Sequence, residues 1–269
     1  MRKVGLIGCG AIGTAIVELW KEHLSDREKL VAILVRSTQI ATTMARVGRG
    51  TLVTADVNEF HGCALDVVIE AAGHGAVAQC STRLLERGCD IHLLSAGALA
   101  DDDLRHRLEL AAKRGGARII IPTGALAGFD GLRSLKTAGL IAVKYTSVKP
   151  VSAWRGTAAE STCRLDGLVE PWVVFAGPAK VAALAFPRNA NLAASVALAG
   201  IGFERTCVEL IADPHVTENS GRIEATSKVG RLEVTLTGAS FSENPKSSRI
   251  TAVSAIATLQ DRAEIIRVC

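Results

Sequence analysis

Residues 4–20 read VGLIGCGAIGTAIVELW, and the fold turns on them. An apolar run ends at Gly8, and glycine recurs as Gly8-x-Gly10-x-x-Gly13. Downstream, Ile12, Ile16, Leu19, Trp20 and Leu24 stand at helical spacing, so the glycines lie between a strand and an amphipathic helix. There the first glycine permits a tight turn and the second lets a pyrophosphate approach the backbone. The third lets helix and strand pack closely, and the helix N-terminus faces the phosphates. The loop of Gly8, Gly10, Ala11, Ile12 and Gly13 is therefore predicted to bind a dinucleotide.

The same rhythm continues outward. LVAILVRS (30–37), TLVTADV (51–57), LDVVIEAAG (65–73), DIHLLSAG (90–97) and ARIIIPTGA (117–125) read as buried strands. AVAQCSTRLLERG (76–88) and DDDLRHRLELAAKRGG (101–116) read as helices, the second opening on acids that suit a helix N-terminus. Such alternation means βαβ units and a parallel sheet covered on both faces. After residue 125 the pattern changes. GLRSLKTAG (131–139), PAKVAALAF (178–186), NLAASVALAGIG (191–202) and NPKSSRITAVSAIATL (244–259) read as helices. IAVKYTSVK (141–149), WVVFAG (172–177), RTCVELIAD (205–213), GRIEATSKV (221–229) and RLEVTLTGA (231–239) read as strands. The fold class is α/β: an N-terminal Rossmann doubly wound parallel sheet, then a C-terminal α+β open-sheet domain. Residues 1–123 plus 244–269 are expected to form the first domain and 124–243 the second.

The tip of the second strand reads Val35-Arg36-Ser37-Thr38, without the acid that holds a ribose 2′-hydroxyl in NAD-selective sites. Arg36 and Ser37 are suited to a 2′-phosphate, which favours NADP with NAD also accommodated. The alternative for Arg36 is a solvated loop arginine. Ala72, Gly73 and His74 follow another strand of the same sheet, at the cofactor edge.

Bulk composition narrows the function classes. The 269 residues are 48% hydrophobic and 22% charged with a net charge of +4, which fits a folded globular chain. The 31 basic residues are scattered, so neither nucleic acid nor a membrane surface is called for. No apolar run reaches the roughly 20 residues of a membrane span, and the N-terminus has no signal-peptide pattern. Seven cysteines without a C-x-x-C pair read as buried reduced thiols, and the expected location is the cytoplasm. No Cys/His cluster has zinc spacing, and no metal is expected.

GLIGCGAIG (5–13), IEAAGHGAV (69–77), LLSAGALAD (93–101), PTGALAGFDGL (122–132), SAWRGT (152–157), FPRNANLAASVALAG (186–200), ADP (212–214) and NPKSS (244–248) together resemble the L-aspartate dehydrogenases, nearly end to end. The resemblance implies NAD(P)-dependent oxidation of L-aspartate, a small anionic amino acid, to iminosuccinate, which hydrolyses to oxaloacetate and ammonia. It also implies cofactor contacts from Ala125 and Asn191, a last helix packed back on the Rossmann domain, and a homodimer. Asn191 starts a helix, so an N-cap role is its alternative.

The departure is at the family's proton-transfer histidine. The matching segment here is Glu218-Asn219-Ser220-Gly221-Arg222-Ile223-Glu224, and Gly221 takes the imidazole's place. His215, six residues upstream, is the candidate substitute, against its reading as an ordinary loop histidine. Arg155, Lys180, Arg188 and Lys246 lie in family-like segments and are candidates to hold substrate carboxylates, against their reading as solvated charges. Two further functions fit the pattern: a reductase of a different imine or keto acid, and an NAD(P)-binding protein with impaired catalysis.

Overall fold

Short β-branched runs separated by helices pair as parallel strands, because only helical crossovers return the chain to the same sheet edge. In the computed structural model, which describes residues 1–161, 165–241, 244–261 and 265–266, this gives β1 (Arg2–Ile7), α1 (Ala11–His23), β2 (Glu28–Leu34), α2 (Ile40–Val47), β3 (Leu52–Thr54), α3 (Val57–Gly62), β4 (Val67–Glu70), α4 (His74–Glu86), β5 (Asp90–Leu93), α5 (Asp102–Gly115) and β6 (Ile119–Ile120). The sheet runs β3-β2-β1-β4-β5-β6, all parallel. Strand order reverses at β1 and β4, the point where doubly wound sheets bind ligands. Val4, Leu6, Ile33, Val67 and Ile69 are buried, each worth roughly 1.5–3 kcal/mol relative to exposure.

The second unit covers Leu99–Asp101 and Thr123–Thr251. It holds α6 (Phe129–Thr137), β7 (Leu140–Pro150), β8 (Trp172–Pro178), α7 (Ala179–Ala185), α8 (Asn191–Ala199), β9 (Thr206–Asp213), β10 (Asn219–Ser227), β11 (Arg231–Gly238), β12 (Ser240–Phe241) and β13 (Asn244–Ser248). Five strands form one sheet, β11-β10-β7-β9-β8, antiparallel except for β7 against β9. Val143, Tyr145, Ser147 and Lys149 on β7 and Asn219, Gly221, Ile223 and Ala225 on β10 are buried, and the residues between them are only partly so. One face is therefore covered and the other open.

A last helix, α9 (Ile250–Gln260), belongs to the first unit from Ala252 onward. Its Ala252, Ala255, Ile256 and Leu259 share a hydrophobic cluster with Val4, Leu6, Ile16 and Trp20. The Arg2 guanidinium pairs with Glu28 and also donates to Leu259 O, tying α9 to the N-terminal ends of β1 and β2.

Several elements differ from the sequence reading. NPKSS is not the start of a helix but the strand β13 paired with β12, and helix begins only at Ile250. TLVTADV keeps three strand residues before turning into α3, where Asp56 caps the helix by accepting from Asn58 N at 2.7 Å. ARIIIPTGA keeps two strand residues, because Pro122 cannot donate to a ladder. Cys9, Cys80 and Cys89 are buried, but Cys63 is half-buried and Cys207 exposed, on the outward phase of β9. Cys163 and Cys269 lie outside the described residues. No helix among the described residues is long and apolar enough to cross a membrane.

Candidate active site

The cofactor cradle forms where β1 gives way to α1. Gly8 donates to Leu34 O at 2.8 Å and adopts φ +93°, and a Cβ there would lie 2.8 Å from Ala72. A Cβ on Gly13 would fall 2.1 Å from Gly8 O, so any side chain would push α1 off the turn. At Gly10 a Cβ would meet nothing within 4 Å. Two glycines are thus fixed by protein neighbours, while the middle one keeps clear the space through which a pyrophosphate reaches the backbone. Gly10 caps α1 without a side-chain hydrogen bond, and no acid stands in the first turn, so the positive end of the helix favours an anion. Ala11 and Ile12 open α1. These residues fit a dinucleotide.

Arg36 and Ser37 follow β2 and are both exposed. Arg36 reaches Gln39 Oε1 at 3.4 Å, and Ser37 begins one 3-10 turn. The strand tip carries no acid. On the other side of β1, Ala72, Gly73 and His74 form the turn from β4 into α4, with Gly73 as cap and His74 as the first helical residue.

That turn is organised by Glu70, which the sequence reading passed over. Its Oε1 accepts from Ala72 N and Gly73 N at 2.7 Å each and from Ser95 Oγ at 3.0 Å; Oε2 accepts from Ser95 N at 3.0 Å. One carboxylate thus joins the loops after β4 and β5. Burial pushes its pKa up, and the four donors pull it part of the way back. The signal was an acid at the end of the otherwise apolar VVIE, just before the cofactor-edge turn.

In the second unit, Gly124 lies against the first turn of α8, where a Cβ would be 2.7 Å from Leu192 Cδ2. This brings Ala125, buried, beside the segment that begins with Asn191. Asn191 is the first helical residue and Ala190 the cap, so the N-cap alternative for Asn191 does not apply.

Gly221 pairs with Ser147 across the β7–β10 ladder. A Cβ on it would lie 2.5 Å from Leu126 Cδ2 and 3.4 Å from Tyr145 Oη, so Leu126 and Tyr145 fill the space a side chain would take. Tyr145 is fully buried and its phenol is pushed up to about 12, with Ser147 tempering the rise. Neither hydroxyl completes a well-formed hydrogen bond, nor does Asn219 Oδ1, while Asn219 Nδ2 donates to Pro245 O at 3.1 Å. Next along β7, Lys149 is buried and donates to Lys246 O at 2.9 Å and Asn189 O at 3.4 Å. Burial and the Lys246 charge lower its pKa to about 8. His215 stands exposed in the turn between β9 and β10, its backbone N–H donating to Asp213 Oδ1 at 2.8 Å.

A parallel six-stranded sheet with this cradle, followed by an α+β unit with a row of buried polar groups on one sheet face, defines an NAD(P)-dependent dehydrogenase. Residues 8–122 match the family model described as homoserine dehydrogenase, NAD binding domain, and residues 130–262 the one described as aspartate dehydrogenase, C-terminal. L-aspartate dehydrogenases of Pseudomonas aeruginosa and Cupriavidus necator are 39% and 37% identical, over 100% of both chains in each case. The chain belongs to the L-aspartate dehydrogenase family. A crystal structure of aspartate dehydrogenase from Thermotoga maritima is similar at 26% identity and a TM-score of 0.73, covering 100% of both chains. A hyperthermophilic archaeal homoserine dehydrogenase in complex with NADPH shares the fold at 13% identity, with a TM-score of 0.60 over 97% of each chain.

Proposed function

We propose that this protein oxidises L-aspartate to iminosuccinate, which water converts to oxaloacetate and ammonia. The observation that carries this reading is the intact glycine cradle in a chain that matches L-aspartate dehydrogenases along its whole length. Bound NAD(P)⁺ supplies the acceptor for the hydride that leaves Cα. The residues of the chain do the rest. Gly8, Gly10, Ala11, Ile12 and Gly13 hold the pyrophosphate, and Arg36 and Ser37 receive a 2′-phosphate, which favours NADP. Glu70 holds the Ala72–His74 turn in shape, and Ala125 and Asn191 bound the nicotinamide end. The substrate ammonium must lose a proton before hydride leaves, a step worth roughly 10²–10⁴-fold in rate. His215 is the only imidazole in the second unit and is proposed to accept that proton.

The decisive assay follows NADPH oxidation with oxaloacetate plus ammonium, and NADP⁺ reduction with L-aspartate, on protein that binds the cofactor. Turnover in both directions, falling about 100-fold in His215→Gln, is expected. Cofactor binding without turnover in either direction rejects the reaction, and unchanged turnover in His215→Gln rejects the assigned base. The filling of the Gly221 position by Leu126 and Tyr145 favours one second reading, reduction of a different imine or keto acid. A substrate panel separates the two.

The protein is also proposed to be a homodimer. In support, the open sheet face carries an apolar row, Val173, Ile211 and Val148, on adjacent strands, which a second copy would cover.

A further inference from the structure

Four basic side chains were candidates for holding carboxylates, and the structure divides them. Arg155 pairs with Asp166 at 2.9 Å and Lys180 with Glu204 at 3.0 Å. Among the described residues, Arg188 and Lys246 have no carboxylate within ion-pair distance, yet the fold brings them together over a third cation. Buried Lys149 donates to the carbonyls of Lys246 and of Asn189, the residue after Arg188. A single ammonium thus pins both segments. Lys246 Nζ stands 3.8 Å from where a Cβ on Gly156 would be, and Gly156 N donates to Glu160 Oε1 at 2.9 Å. Partial burial depresses Lys246, the neighbouring Arg188 charge adds to this, and Glu160 alone opposes it.

The Lys246 charge lies close to buried Lys149 and to the exposed Arg188, with Glu160 the nearby carboxylate, and a bound anion would relieve this repulsion. Arg188 offers a planar fork and Lys246 a compact charge, the donor set for a carboxylate. We propose that Arg188 and Lys246 bind a carboxylate of a dicarboxylic amino acid and so select it over monocarboxylic analogues, with Lys149 as the residue that positions them. The assignment rests on the proposed reaction for its substrate class. Because Gly156 has no side chain, the space beside Lys246 Nζ stays open to such a ligand.

The test uses the full-length protein saturated with NADP⁺ and titrates it with succinate or butyrate by calorimetry. Succinate should bind the wild type more tightly than butyrate. Arg188→Gln and Lys246→Gln should each weaken succinate about 10- to 100-fold and leave butyrate unchanged, with Arg188→Lys partly restoring it. Equal binding of the two acids by the wild type, or unchanged succinate binding in both Gln variants, overturns the proposal. So does a loss in the variants of NADP⁺ affinity relative to NAD⁺, which would assign the cluster to the cofactor phosphate instead. Turnover of L-aspartate by the wild type is read separately. Lys246-dependent succinate binding without turnover rejects the reaction and keeps the subsite, while aspartate turnover with a KM unchanged in both variants rejects the subsite alone.

Discussion

At the scale of single residues, the most informative position is one without a side chain. Gly221 occupies the place where its relatives are expected to carry a histidine, and the space over it belongs to Leu126 and Tyr145. Restoring the imidazole alone therefore sets it against Leu126 Cδ2. Gly221→His should gain little aspartate turnover by itself, whereas the double variant Gly221→His/Leu126→Ala should gain roughly 10-fold or more over Leu126→Ala. Steady-state kcat of the four proteins decides this, and equal rates in the single and double variants would reject the steric argument. Glu70 makes a second prediction. Its carboxylate accepts four hydrogen bonds, and Glu70→Gln, which keeps the shape but replaces one acceptor by a donor, should cost about 1–3 kcal/mol in urea unfolding and weaken NADPH binding. Glu70 was legible only as an oddity, a charge inside an apolar strand. Its role depends on Ser95, twenty-five residues away, and no local pattern reports a contact of that span.

Elements differ in how plainly their sequence speaks. The buried stretches Val4–Ile7 of β1, Ala32–Leu34 of β2 and Val67–Ile69 of β4 are continuously apolar, so their assignment follows from composition. α2 carries Ile40, Met44 and Val47 at helical spacing yet buries only Thr43 completely, and α3 is six residues long, too short for a period to show. β13 was misread because Asn-Pro-Lys-Ser-Ser has no apolar alternation. What defines it is pairing with β12 and the Lys149 ammonium on the carbonyl of Lys246. The burial of Lys149 also gives a pH signature. Its folded pKa, about 8, lies below the ordinary 10.5. Between those values the unfolded chain binds more protons than the folded one, so stability rises with pH across that window. Below pH 8 both states are protonated and the full cost of the buried charge is felt. Urea unfolding at pH 7.5 and 9.5 should show this rise in the wild type and a flatter response in Lys149→Met. An equal rise in both would assign it to other groups.

At the scale of the whole molecule, the division into two units was readable from the stop in strand–helix alternation near residue 125, because parallel and antiparallel sheets impose different patterns. The pairing of sequence-distant parts was not readable from periodicity; the return of the last helix came from family likeness. α9 supplies Ala252, Ala255, Ile256 and Leu259 to the cluster around Trp20. The first unit thus draws on the two ends of the described chain. A protein synthesised from its N-terminus therefore has the whole cofactor cradle outside the ribosome long before the helix that completes the hydrophobic support beneath it. Nascent chains halted before Ile250 should leave apolar surface at Ile16 and Trp20 uncovered, bind more of a hydrophobic dye, and be cut faster by protease than the full-length chain. Equal protection at both lengths would mean that the first unit matures without α9; otherwise the nucleotide-binding half stays incomplete until a helix more than two hundred residues downstream of its cradle has emerged.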